Sequence, residues 1–78
     1  MRYTVNVASE LDYFASFDVT DPQERSLFHA AQANDKAVIE HFRDIVSKRY
    51  GQTGWASFDL VVDGQLLKSV RRIPYPKG

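Results

Sequence analysis

The chain opens on an alternation of apolar and polar positions. Tyr3, Val5 and Val7 interleave with Arg2, Thr4 and Asn6, a period of two that predicts a strand over "RYTVNV". "ASELD" follows as a polar turn. "YFASFDV" resumes the alternation, with Tyr13, Ala15, Phe17 and Val19 on one face. Further on the period changes. Val38, Ile39, Phe42, Ile45 and Val46 fall at helical spacing, which predicts an amphipathic helix from Asn34 to Tyr50. Asp35 near its start and Lys48-Arg49 near its end both suit the helix dipole, and Gly51 is placed to end it in a left-handed conformation.

Between these elements, "TDPQERSLFHAAQAND" admits two readings. Asp21-Pro22-Gln23-Glu24 offers a cap, a first-turn proline and a glutamate at N3, so residues 22–50 could form one long or broken helix. Alternatively Asp21–Gln23 is a turn, "RSLFHAAQA" is a third strand, and Asn34 caps a fresh helix. The strand is preferred here, because Asn34-Asp35 suits a helix interior poorly and a helix spanning the whole segment is long for a small domain. The alanines speak for the helix.

The final stretch, "WASFDLVVDGQLLKSVRR", predicts a hairpin closed by a two-residue turn at Asp63-Gly64. Regular pairing from that turn sets Val61 opposite Leu66, Leu60 opposite Leu67, Asp59 opposite Lys68, Phe58 opposite Ser69 and Trp55 opposite Arg72. One face is then Phe58, Leu60, Val62 and Leu67. The other is Trp55, Asp59, Val61, Leu66, Lys68, Val70 and Arg72, a mixed aromatic and basic surface turned away from the helix. A Trp beside an Arg allows a cation–π contact of about 0.5–1 kcal/mol.

The expected fold is therefore α+β. An antiparallel sheet of four to five strands carries one long helix on one face, in the order β-β-β-α-β-β. Residues 1–73 form a single domain and 74–78 an extended tail. The expected core is Tyr3, Val5, Val7, Phe17, Leu27, Val38, Phe42, Ile45, Val46, Phe58, Leu60, Val62 and Leu67. One helix cannot cover both faces of such a sheet, so the open face must be polar or meet a partner.

Composition narrows the class. A chain of 78 residues that is 44% apolar suits one globular domain and argues against disorder. It buries roughly 60% of its unfolded surface, a thin margin. With zero cysteines, no disulfide or thiolate metal site contributes, which suits a reducing cytoplasm. No apolar run reaches the roughly 20 residues of a membrane helix, and the alternating start is unlike a signal peptide. Formal net charge is zero, but residues 1–40 hold seven acids and three bases while residues 41–78 hold three acids and seven bases. That balance is too neutral for a dedicated polyanion binder.

Catalytic signatures are missing from the sequence. His29 and His41 carry no metal-ligand spacing, the six serines include no GxSxG turn, and the four glycines form no phosphate loop. The expectation is a protein that is not an enzyme and needs no cofactor or metal. Two surface features remain. Lys48, Arg49, Lys68, Arg71, Arg72 and Lys77 form a basic set, and Trp55 with Tyr13 or Phe14 and Tyr75 an aromatic one. Trp, Tyr and Arg dominate protein interfaces. The candidate binding residues are Trp55, Lys68, Arg71, Arg72 and Tyr13. The plainer alternatives are a basic sheet edge that discourages aggregation and a Trp55 folded into the core.

Two resemblances follow from these residues. "MRYTVNV…DYFASFDV" resembles the first hairpin of HicB-type antitoxins over about the first 20 residues, up to Val19, where those proteins have a Leu-Pro-Gly-Cys-like turn and this chain has "TDPQER". The order of elements, with "LFHAAQANDKAVIEHF" as strand, cap and helix and "LVVDGQLL" as a final hairpin, is similar to small phage-encoded inhibitors, including anti-CRISPR proteins built from an antiparallel sheet and one helix. That likeness is one of architecture and transfers no functional residue. It implies a stoichiometric inhibitor that binds a host protein or ribonucleoprotein complex, such as a CRISPR effector, and blocks its nucleic-acid channel. Trp55, Arg72 and Lys68 would be contacts, and Glu10, Asp12, Asp21 and Glu24 would meet a basic channel. The alternatives are a nucleic-acid-binding or HicB-like module using the open sheet face, with Trp55 stacking on bases, and a homodimer built on that face.

Overall fold

A computed structural model describes residues 1–9, 14–51 and 55–71 of the chain. Its elements are β1 (Tyr3–Ser9), β2 (Phe14–Val19), α1 (Pro22–Gln32), α2 (Lys36–Tyr50), β3 (Trp55–Val62) and β4 (Gln65–Arg71). The four strands form one antiparallel sheet in the order β2-β1-β3-β4. The class is α+β as the sequence predicts, with two corrections: residues 22–32 are helix and not a third strand, and the order is β-β-α-α-β-β.

Local chemistry explains why the helix wins there. The Asp21 carboxylate accepts the Gln23 N–H at 2.8 Å and Pro22 occupies the first turn, so the helix is capped as it starts. Once it is wound, Leu27, Phe28 and Ala31 share one face, and Phe28 and Ala31 are fully buried. The helix stops in a Schellman motif. The N–H groups of Asn34 and Asp35 return to the carbonyls of Ala31 and Ala30 at 3.0 and 3.1 Å, with Asn34 at φ 66°. Asp35 then caps α2, accepting from Ala37 and Val38 at 3.1 and 3.3 Å. Asn34 therefore ends one helix rather than capping the next. Gly51 also departs from expectation: it stays right-handed at φ −56°, and its N–H continues the helix to Ser47.

Both helices lie on one face of the sheet. Arg25 of α1 donates to the Val19 carbonyl at 2.9 Å on the β2 side, and Asn34 meets Lys68 of β4 on the other. α2 runs back, and Arg49 and Tyr50 end over Phe17 of β2. Val5, Val7, Phe28, Phe42, Val46, Phe58 and Leu60 fill the space between the layers. Edge-to-face rings stitch it: Tyr3–Phe28 at 5.1 Å and Phe28–Phe42 at 5.2 Å. Full burial of Phe28 and Phe42 contributes about 1.5–3 kcal/mol each. The expected core residues all take part, with Tyr3, Phe17, Leu27, Val38, Ile45 and Leu67 half-buried around it.

The hairpin turn is as predicted, with Asp63 and Gly64 both left-handed at φ 50° and 80°. Its pairing is not regular. Val61 faces Leu66, but Leu60 faces Lys68, so Leu67 is an extra residue. A second bulge places Trp55 opposite Ser9 and Ser57 opposite Ala8, with Ala56 extra. Each bulge shifts the side-chain parity beyond it. The tail at 74–78, with its boundary after 73, lies outside the described residues.

Candidate interaction face

The helices leave the opposite face of the sheet uncovered. Strand register arranges that face in rows running across β2, β1, β3 and β4. The middle row is Ser16, Asn6, Asp59 and Ser69. The row toward the hairpin turn is Asp18, Thr4, Val61 and Leu66. Toward the other end, Ala8, Ser57 and Arg71 align.

Within the rows, side chains link neighbouring strands. Ser69 donates to Asp59 at 2.6 Å, and Thr4 donates to Asp18 at 3.0 Å. Arg2 Nε reaches both Asp18 oxygens at 3.2 and 3.3 Å. These hydrogen bonds, from Arg2 first and then Thr4, hold the Asp18 carboxyl below its ordinary value. Leu66 is 60% exposed at the corner of the face, next to half-buried Val61. The surface thus presents hydroxyl, amide and carboxylate groups with one apolar corner.

The candidate residues from the sequence do not gather there. Trp55 is only 2% exposed and points toward the helices, where its Nε1 donates to Ser47 at 3.1 Å and its ring lies 5.7 Å from Phe58. Lys68 is also on the helix side, donating to Asn34 at 2.5 Å. Val70, expected on the open face, is buried opposite Phe58. The two bulges account for all three reversals. Arg71 is exposed on the open face, whereas Tyr13 and Arg72 lie outside the described residues, and with them the expected Trp55–Arg72 pair. Asp59, Val61 and Leu66 keep the side that the alternation gives them.

The basic set is likewise dispersed. Lys48 pairs with Asp44 on α2 at 3.0 Å, Arg49 covers Phe17 with 4.2 Å to the ring centroid, and Lys68 is at the interhelical turn. Among the described residues, Arg71 is the member of that set on the open face, and it shares that face with Asp18 and Asp59. Sequence reasoning missed Asn6, Ser16 and Ser69 as face residues. Alternation with the buried set was the available signal for Asn6 and Ser16, whereas Ser69 reaches this face only through the Leu67 bulge.

No group of three or more histidine, cysteine or acidic residues suited to a metal occurs among the described residues. No helix among them is long and apolar enough to cross a membrane. Comparison with protein-family models, with curated proteins and with solved structures finds no match to this chain.

Proposed function

We propose that the chain is a non-enzymatic protein-binding inhibitor, acting stoichiometrically by laying its open sheet face on a partner. The carrying observation is that face itself: four strands wide, covered by none of the described elements, and ending in the exposed Leu66. A polar hydrogen-bonding surface with a small apolar corner suits a protein contact, in which direct hydrogen bonds and trapped water accompany a limited apolar core. A nucleic-acid footprint fits less well, since carboxylates occupy two of its rows and Trp55 is not available to stack. The partner class that this reading favours is a host protein or ribonucleoprotein in a reducing cytoplasm, such as the CRISPR effector complex that the sequence resemblance implies. Trp55 and Lys68 give way as contacts to Asn6, Ser16, Asp59, Leu66 and Arg71.

The test is capture of partners from host lysate by the tagged protein, with and without nuclease, compared with Leu66→Asp and Asn6→Arg variants. A nuclease-resistant partner at stoichiometric level, lost with both folded variants, is the expected result. Recovery that vanishes with nuclease and falls steeply with salt moves the assignment to nucleic acid. Recovery of the bait alone overturns the inhibitor reading.

A further inference from the structure

The sheet has two edges, and they differ. β4 carries the Leu67 bulge, Lys68 and Arg71, all features that discourage further strand pairing. β2 has none of them. It pairs with β1 without a register shift from Val19 to Phe14 and holds no lysine, arginine or proline. Its one charge, Asp18, is already engaged by Arg2 and Thr4 on the open face.

The outward backbone groups of β2 can be assigned. The Arg2 carbonyl accepts the Asp63 N–H at 2.8 Å and so points toward β3. Alternation along β1 then directs the Thr4, Asn6 and Ala8 backbone toward β3, and that of Tyr3, Val5 and Val7 toward β2. Opposite the latter stand Val19, Phe17 and Ala15. The N–H and C=O groups of Asp18, Ser16 and Phe14 therefore point away from the sheet.

We propose that β2 pairs antiparallel with β2 of a second copy, about a two-fold axis at Ser16. This register matches all three outward residues: Ser16 with its symmetry mate, and Phe14 with Asp18 in both directions. It makes about six backbone hydrogen bonds. A two-fold at Asp18 would oppose two carboxylates, and one at Ala15 or Phe17 matches fewer outward groups. On the helix side, the Ser16-centred register sets Phe17 of each copy opposite Ala15 of the other. There the fit is steric, because Ala15 is small. The isologous pair forms one eight-stranded sheet with two open faces side by side. This inference goes beyond the inhibitor reading and stands without it.

The test is sedimentation equilibrium together with a cysteine probe, which the cysteine-free chain makes unambiguous. The wild type is expected to dimerise. Ser16→Pro removes an outward N–H that β1 does not use, so it should yield a monomer with an unchanged far-UV spectrum. Ser16→Cys should cross-link under mild oxidation, because Cα atoms in such a pair lie about 5.5 Å apart, whereas Ser69→Cys on β4 should not. A wild type that stays monomeric to about 1 mM, weaker than any specific contact of use here, overturns the proposal. So does a dimer that survives in folded Ser16→Pro. If Ser16→Pro fails to fold, the cross-link decides: preferential linkage at position 69, or none at 16, overturns it.

Discussion

The indole Nε1 of Trp55 donates to the Ser47 hydroxyl at 3.1 Å, tying the first residue of β3 to the last turns of α2. The contact exists because the Ala56 bulge turns Trp55 to the same side as Phe58. Trp55 is therefore a structural anchor. Trp55→Ala should destabilise the fold by about 3–5 kcal/mol, and Ser47→Ala by about 1 kcal/mol. Urea unfolding followed by the fluorescence of the single tryptophan measures the Ser47 variant directly, and circular dichroism measures the other. A Trp55→Ala cost under about 1 kcal/mol would place the ring at the surface after all.

The interhelical turn gives a prediction that separates two substitutions at one residue. Asn34 occupies a left-handed conformation at φ 66°, and Asp35 caps α2. Asn34→Gly should be close to neutral, because glycine adopts that φ freely, although the contact with Lys68 is lost. Asn34→Ala should cost about 1–2 kcal/mol through left-handed strain. Asp35→Ala should cost about 0.5–2 kcal/mol by removing the cap. Thermal or urea denaturation of the three variants checks the order, and equal effects of glycine and alanine at 34 would contradict the turn geometry.

Asp18 sets a pH dependence. Its carboxyl is lowered from an ordinary 3.8 by the hydrogen bonds of Arg2 and Thr4 and by the charge of Arg2. A carboxyl lowered in the folded state adds stability above its unfolded pKa, and that contribution disappears as pH falls through the folded value, below about pH 4. Arg2→Ala and Thr4→Val should each raise the Asp18 midpoint toward 3.8 in an NMR titration. A midpoint that both variants leave in place would remove the hydrogen-bond explanation.

How much of this was legible in the chain depends on the range of the determining interaction. Tyr3, Val5 and Val7 alternate within one strand, and Phe42 and Val46 repeat within one helix, so local pattern suffices for them. The caps at Asp21 and Asp35 are local as well, yet the preferred reading takes Asp21 into a turn and makes Asn34 the cap. "RSLFHAAQA" is short enough to satisfy either period, and only the wound helix brings Phe28 between Tyr3 and Phe42. The bulges at Ala56 and Leu67 carry no residue type that demands them. Each is decided across strands, by what the shifted parity buries. That is why the buried hairpin face was legible through Phe58, Leu60 and Val62 while Trp55, Lys68 and Val70 were assigned to the wrong side.

The Leu67 bulge makes the sharpest comparison in β4. In a regular hairpin Leu66 and Val70 share the open face, being four residues apart. With one extra residue between them, Leu66 stays 60% exposed while Val70 falls to 4% and packs opposite Phe58. Val70→Ala should therefore cost about 1–3 kcal/mol, from lost burial and an incompletely filled cavity. Leu66→Ala should stay within about 0.5 kcal/mol of wild type. Deleting Leu67 gives an independent check. The pairs on either side of it, Val61–Leu66 and Leu60–Lys68, are already in register, so the deletion closes a straight ladder and keeps Val70 inside. A Leu67 deletion that folds, combined with a Val70→Ala cost that persists in it, would establish that the bulge tunes the twist of the edge while Phe58 and Val70 hold the strand. Equal costs for Leu66→Ala and Val70→Ala would instead restore the regular hairpin, with the apolar corner of the open face extended by one valine.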